Sequence, residues 1–403
     1  MIIFFNKGEF KMQYILYHKD DKVANLEFSD NGSYRYVNGY YKQELMPIGT
    51  KANDEFVHKK FGAWLEKRFI SQNRTNRARI LNFANCIKIE QLVAKSYAIS
   101  LNDCYWIKRA DLKNERPFWA DINPFKHPSN EFIENILIFN KIENSKKNFV
   151  SPSLTLPGPA DKAWYYEDGK FVLYKCGNRD FGYIDSINEY ISTRLCFLLG
   201  FNSAEYSFNK LYDGRYYTKS KCFCDENTEF IPFSMLSVDH GTVGRKGIME
   251  FCKANGFKED IDNLIIHDYI LSVTKRDFTN IGYLRDANTL EPIKLAPIFG
   301  SGYSLWCDYK KHDVGVLDEA STFEATHEHQ IKLIDDITKY DFEKLFNFPS
   351  EILSIYQRSG FDNVISKRIA DEVKKRIEQL TNLQNKKDDD DEVDEILKKL
   401  NII

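Results

Sequence analysis

Thr274-Lys275-Arg276-Asp277-Phe278-Thr279-Asn280-Ile281-Gly282 and, further on, Ala296-Pro297-Ile298-Phe299-Gly300-Ser301-Gly302-Tyr303-Ser304-Leu305 decide how this chain reads. The run His267-Asp268-Tyr269-Ile270-Leu271 marks a helix leading into the first stretch. Gly282 to Ile293 reads as a hairpin turning at Ala287-Asn288, which delivers the chain to the second. Both stretches are therefore loops at the ends of regular elements, where binding and chemical residues concentrate.

Working outward, residues 12–40 read as short strands closed by the turn signal Asp30-Asn31-Gly32-Ser33. Residues 54–110 carry apolar residues at helical spacing, among them Phe61, Trp64, Leu65, Phe69, Ile80 and Leu92. Trp164 to Lys175 is a hairpin pattern around Asp168-Gly169, and Ile187 to Leu199 is an amphipathic helix stopped by Gly200. Two strand-like runs, Glu205–Leu211 and Arg215–Lys219, flank Asp213-Gly214. After residue 232 helices dominate, with segments at 261–272, 330–347 and 363–384. Strands followed by helices, with a strand pair near 281–298, give a two-lobed α+β body.

Composition bounds the function. The 403 residues exceed one ordinary domain, and a hydrophobic share of 43% supports real cores. A net charge of −3 gives no global field toward nucleic acid or membrane. No run reaches the about 18 apolar residues of a spanning helix, and Met1–Phe5 is too short for a signal segment, so the expectation is a soluble cytoplasmic protein. Residues 1–11, ahead of Met12, read as an extra strand or a dispensable leader. The eight cysteines lack CxxC pairs and read as reduced thiols. Thr326-His327-Glu328-His329 supplies two histidines without a further ligand placed by sequence. The basic segment Lys59, Lys60, Lys67, Arg68, Arg74, Arg77 and Arg79 reads as a solvated helix face, with a nucleic-acid footprint as the alternative.

The two deciding stretches resemble the catalytic loop and metal-binding segment of HipA-type serine/threonine kinases. In that family the first runs Asp-Arg-His-x-x-Asn-x-Gly and the second Pro-Ile-Phe-Asp-x-Gly-x-Ser-Leu. Here Lys275 stands at the first aspartate and Gly300 at the second. The resemblance implies a bilobal protein-kinase-like α+β fold with an N-terminal accessory α+β domain. It divides the chain into 1–144 (accessory), 145–225 (strand-rich lobe), 226–384 (helical lobe) and an acidic linker and tail at 385–403. It also implies ATP as ligand, a bacterial, toxin–antitoxin-like setting and a protein partner, while the charge balance disfavours membrane and nucleic acid as the binding surface.

Residue by residue, the resemblance makes Lys175 the strand lysine that neutralises ATP phosphates and Glu189 its helix partner. Ser220, Lys221 and Cys222 fall at the adenine hinge. Ser151, Ser153 and Thr155 lie in the Pro-rich segment Ser151–Pro159, where the family keeps a phosphate-covering loop with a phosphoacceptor serine. Asn280 is the one recognisable metal ligand, so magnesium is disfavoured: Lys275 puts a cation where divalent ions would sit, and Gly300 supplies no carboxylate. Asp277 is three residues before Asn280, not five, and does not simply replace the lost base. The reading adopted is a pseudokinase serving as a nucleotide- or protein-binding regulatory module. The alternatives are an active atypical kinase using Asp277 as base with Asp286 or Asp308 recruited to metal, and nucleic-acid binding through 59–79.

Overall fold

The computed structural model describes residues 11–50, 56–128, 135, 138, 149–239, 244–310, 313–316, 319–320 and 322–399. The leader proposed at 1–11 lies, apart from Lys11, outside them. In chain order the strands are β1 (Lys11–His18), β2 (Asp21–Ser29), β3 (Tyr34–Tyr40), β4 (Tyr105–Arg109), β5 (Lys162–Glu167), β6 (Lys170–Cys176), β7 (Tyr206–Lys210), β8 (Tyr216–Lys221), β9 (Thr228–Pro232), β10 (Gly282–Asp286) and β11 (Pro292–Leu295). The α-helices are α1 (Val57–Glu66), α2 (Arg77–Phe83), α3 (Ile89–Lys95), α4 (Trp119–Ile122), α5 (Ile184–Leu199), α6 (Phe233–Asp239), α7 (Arg245–Ala254), α8 (Lys258–Leu271), α9 (His327–Ile331), α10 (Phe348–Arg358) and α11 (Asn363–Lys399). The chain is α+β.

Two compact units cut across linear sequence. Residues up to Cys176 join Lys219–Gly244 and Gly282–Ala296 in unit 1; Gly177–Thr218, Arg245–Ile281 and the chain from Pro297 form unit 2. The boundary passes through β8.

Unit 1 holds the antiparallel sheet β3-β2-β1-β4 and the smaller sheet β11-β10-β9. Its core is aromatic: Tyr17 and Trp106 stack at 4.5 Å, with Ile15, Ile99 and Trp119 around them. β4 corrects the helical expectation for the end of 54–110. Tyr105-Trp106-Ile107 is an aromatic and β-branched run that suits a pleated, buried surface, and it pairs with β1 from Tyr14↔Arg109 to His18↔Tyr105. The β5–β6 hairpin turns at Asp168 and Gly169, both at positive φ, the backbone a tight two-residue hairpin needs.

Unit 2 is mostly helical. α8 is buried on nearly every side from Ile261 to Leu271, as a central helix must be. α11 faces the core with Ser366, Ile369, Ala370, Val373, Ile377 and Leu380, one stripe at helical spacing. Two expectations change here. The segment 330–347 is not one helix but the end of α9, a 3-10 turn at Phe342–Leu345 and the approach to α10, whose Pro349 sits in the first turn where its missing N–H costs nothing. The helix expected at 363–384 extends as α11 through the acidic run at 388–392, and from Phe361 to Lys399 there is no Gly or Pro to stop a helix. No described helix is long and apolar enough to cross a membrane. All eight cysteines are free thiols; seven are buried and Cys222 is half-buried.

Candidate functional site

Residues 274–281 and 297–305 of the two deciding stretches meet in unit 2. Ser272, in the left-handed conformation at φ 48°, ends α8 and turns the chain into the loop 273–281. That loop runs beside the second stretch: the Thr274 N–H donates to the Tyr303 carbonyl at 3.1 Å, and the Leu305 N–H to the Leu271 carbonyl at 2.7 Å.

Arg276 fastens them. Its buried guanidinium pairs with Asp268 through Nε (3.1 Å) and Nη2 (3.0 Å). It also donates to the Ser301 hydroxyl at 2.7 Å and to the Phe299 carbonyl. Asp268 takes a further bond from His267 Nδ1 at 2.8 Å, and His267 Nε2 meets the Ser192 hydroxyl of α5 at 2.7 Å. Burial pushes the Asp268 carboxyl up, but the Arg276 charge and the His267 bond outweigh it and hold it below the ordinary range. Burial pushes His267 down, so its ring is neutral: Nδ1–H donates to Asp268 and Nε2 accepts from Ser192. Ser192, His267 and Asp268 have the order of a nucleophilic triad, but all three are sealed in the core and Arg276 occupies the carboxylate. Their effect is positional.

Asn188, preceding Glu189 on α5, is the second clamp. Its amide donates to the carbonyls of Gly302 (3.2 Å) and Ser304 (2.7 Å) and accepts from Tyr356 at 2.7 Å. Glu189 is not a solvated first-turn acid; it is buried and accepts from Thr218 at 3.0 Å.

Around this frame stand Gly300, Lys275 and Asp277. Gly300 has φ 68°, and its N–H donates to the Tyr206 hydroxyl at 3.2 Å. A Cβ built on Gly300 would lie 3.6 Å from Asn280 Oδ1, in open van der Waals contact. The carboxylate expected there is absent, but the place where it would face Asn280 remains. Lys275 is exposed, its ammonium 4.2 Å from the centre of the Tyr303 ring. Asp277 folds back on its own loop, accepting from the Thr279 N–H at 2.8 Å and from the Thr279 hydroxyl. This is an Asx-type turn, so the carboxylate serves loop geometry.

The remaining predicted residues lie elsewhere. Lys175, in unit 1, stands half-buried on β6 opposite Lys162. Cys222 gives its N–H to the Phe171 carbonyl at 2.8 Å, extending the hairpin sheet; Ser220 is buried and Lys221 exposed. Ser151, Ser153 and Thr155 are all buried. The Ser151 hydroxyl accepts from the Ser153 N–H, Ser153 Oγ accepts from the Trp164 N–H at 2.9 Å, and Thr155 donates to the Ile99 carbonyl at 2.6 Å. Phosphorylation of any of them requires this loop to open. Arg74 holds it shut, with its guanidinium on the carbonyls of Leu156 (2.8 Å), Pro157 (3.2 Å) and Gly158 (2.9 Å). Asp286 caps its own turn through the N–H groups of Asn288 and Thr289.

The basic segment loses two cations to internal work: Arg74 as above, and Arg68, which forks onto Asp103 at 2.6 and 2.7 Å. His327 is buried and His329 exposed, its Nδ1 at the Thr326 hydroxyl. Among the described residues, the one group of His, Cys and carboxylate ligand atoms close enough for an ion is His18, Cys104 and Glu229. Sequence reading missed Asn188, Ser192 and His267 as site-shaping residues. Polar side chains inside apolar helical patterns were the available signal.

No protein-family model matches the chain, and no curated protein matches it. Among solved structures it is similar to the Helicobacter pylori proinflammatory kinase CtkA, at 15% identity over 56% of this chain and 94% of that one, with a TM-score of 0.40. It is also similar to a chain of the Shewanella oneidensis MR-1 toxin–antitoxin complex of HipA, HipB and operator DNA, at 14% identity over 91% and 90%, with a TM-score of 0.45.

Proposed function

We propose that this chain is a HipA-like kinase-fold protein that binds without transferring phosphate, a pseudokinase acting as a nucleotide- or protein-binding regulatory module. One observation carries the reading: Gly300 leaves empty the position where a side chain would face Asn280, while the backbone around it is held by Arg276, Asn188 and Tyr206. A magnesium site uses carboxylates together with phosphates, and Asn280 alone supplies neither charge nor a second ligand. Lys275 adds a positive charge on the same loop, and like charge opposes a divalent ion. Lys275 on its tyrosine face is then the group that meets a phosphate directly, as a compact point charge.

The alternative, an active kinase with Asp277 as base, has to release that carboxylate from Thr279 first. Loss of a general base costs on the order of 10²–10⁴ in rate, and loss of the metal clamp removes the main charge stabilisation of the transferring group. Transfer from γ-labelled ATP with magnesium or manganese tests the reading. The expected result is no label on the wild type and label on Lys275→Asp/Gly300→Asp. Label on the wild type that disappears with Asp277→Asn overturns it and establishes the rewired kinase.

A further inference from the structure

The second buried ionic cluster lies in unit 1 and plays no part in the reading above. His18 ends β1, Cys104 precedes β4, and Glu229 lies on β9. The ligand atoms of the three, an imidazole nitrogen, a sulfur and a carboxylate oxygen, all fall within 4.8 Å of one another, and all three residues are buried. Two of the three are positioned by residues outside the trio. The His18 ring packs at 4.7 Å on Tyr105, its cross-strand partner. Glu229 divides its oxygens: Oε2 is held by Arg285, its partner on β10, at 2.8 Å from Nε and 2.6 Å from Nη2, which leaves Oε1 turned to His18 Nε2 at 2.9 Å. The Cys104 N–H donates to the same Oε1 at 2.8 Å and so fixes the cysteine against the carboxylate.

We infer that His18, Cys104 and Glu229 form a binding site for a zinc-like divalent ion. Ligands around a tetrahedral zinc stand roughly 3.3–3.6 Å apart, given bond lengths of about 2.0–2.3 Å. The His18–Glu229 separation is about half an ångström short of that, so a small opening of the pair admits the ion. The mixed sulfur, nitrogen and oxygen set selects zinc or cobalt over magnesium or calcium, which take oxygen ligands. Binding is an exchange without redox change: the Cys104 thiol loses its proton to solvent and its sulfur lone pair enters the metal, while the Nε2 proton that His18 now donates to Glu229 is given up as the ring takes the Nδ1–H tautomer, which frees the Nε2 lone pair for the ion. Arg285 remains on Oε2 as the outer partner that orients the carboxylate. Because His18 lies on β1, Cys104 just ahead of β4 and Glu229 on β9, the ion ties the β3-β2-β1-β4 and β11-β10-β9 sheets at one point.

The test uses the full chain, stripped with chelator and titrated with Co²⁺ in place of Zn²⁺. The expected result is one ion per chain, a sulfur-to-cobalt charge-transfer band in the near ultraviolet, and displacement of the cobalt by added zinc. In Cys104→Ser the band disappears, and in His18→Gln the affinity falls at least tenfold. His329→Ala, which removes an exposed imidazole on α9, leaves stoichiometry and band unchanged. No bound cobalt at micromolar protein, binding without the charge-transfer band, or binding abolished by His329→Ala overturns the inference. The wild-type spectrum decides by itself should a core variant fail to fold.

Discussion

Two clusters built from the same parts, a histidine, a carboxylate and an arginine, sit in the two units and were unequally visible. In unit 2, His267 and Asp268 are neighbours on α8 and Arg276 follows eight residues later. In unit 1, His18 and Glu229 lie 211 residues apart in the chain, on strands of two different sheets. The first cluster clasps a loop, through the Phe299 carbonyl and Ser301; the second clasps two sheets. A local cluster can hold a site in shape. A non-local one reports that the fold has closed.

The largest effects should come from breaking the ion pairs. Asp268→Ala and Glu229→Ala each leave a buried guanidinium without its carboxylate, a loss of roughly 3–5 kcal/mol, read from urea unfolding. Hydrogen exchange separates them: Asp268→Ala should speed exchange across 274–282, and Glu229→Ala should not. Equal loosening of that loop in both variants would erase the distinction between the clusters.

Acid should sharpen it. His267 is held below its ordinary 6.5 by burial, so the unfolded chain takes up that proton first; stability is full above 6.5 and declines as pH falls below it. Burial pushes Glu229 up, but the His18 bond and the Arg285 charge outweigh it and bring the carboxyl from 4.5 to about 2, so its contribution is full above 4.5 and is lost as pH falls toward 2. A plot of unfolding free energy against pH should therefore bend twice. His267→Asn should remove the upper bend, and Glu229→Gln should shrink the lower one, to which Asp268, also held below its ordinary range, contributes the rest. A single bend unmoved by His267→Asn would mean that the unit 2 histidine is not held neutral.

A smaller loss is expected at Arg74→Ala, which leaves the buried Leu156 carbonyl and the partly buried carbonyls of Pro157 and Gly158 short of a donor, about 1–3 kcal/mol. Limited proteolysis should then cut within 151–159, and the phosphoacceptor reading of Ser151, Ser153 and Thr155 becomes testable in the opened loop. Smallest is Tyr303→Leu, which removes the ring under Lys275 and should cost about 0.5–1 kcal/mol. If nucleotide affinity weakens by much more than stability, the tyrosine is setting the position of the ammonium.

Much of the frame was legible because its signals are local. The 164–175 hairpin carries Asp168-Gly169, the α5 helix stops at Gly200 with φ 73°, and the strands at 12–40 turn at Asp30-Asn31-Gly32-Ser33. β4 was misread because Tyr105-Trp106-Ile107 is buried on both faces and short apolar runs have no decisive period. α10 was missed although Pro349 marked its start. At the site, the lysine at 275 and the glycine at 300 were visible as letters. What letters could not give is direction: that a side chain at Gly300 would point to Asn280, that Asp277 turns back on Thr279, and that Asn188 rather than Glu189 holds the 302–304 backbone.

The distribution of thiols has a practical meaning at the bench. Seven cysteines are closed off and Cys222 alone is partly open, against Leu101, Leu156, Trp164 and Phe171. A maleimide dye should therefore couple to one position in the unmodified sequence, on the segment proposed to meet adenine. Its emission then becomes a direct optical gauge of whether a nucleotide arrives, independent of any transfer of phosphate.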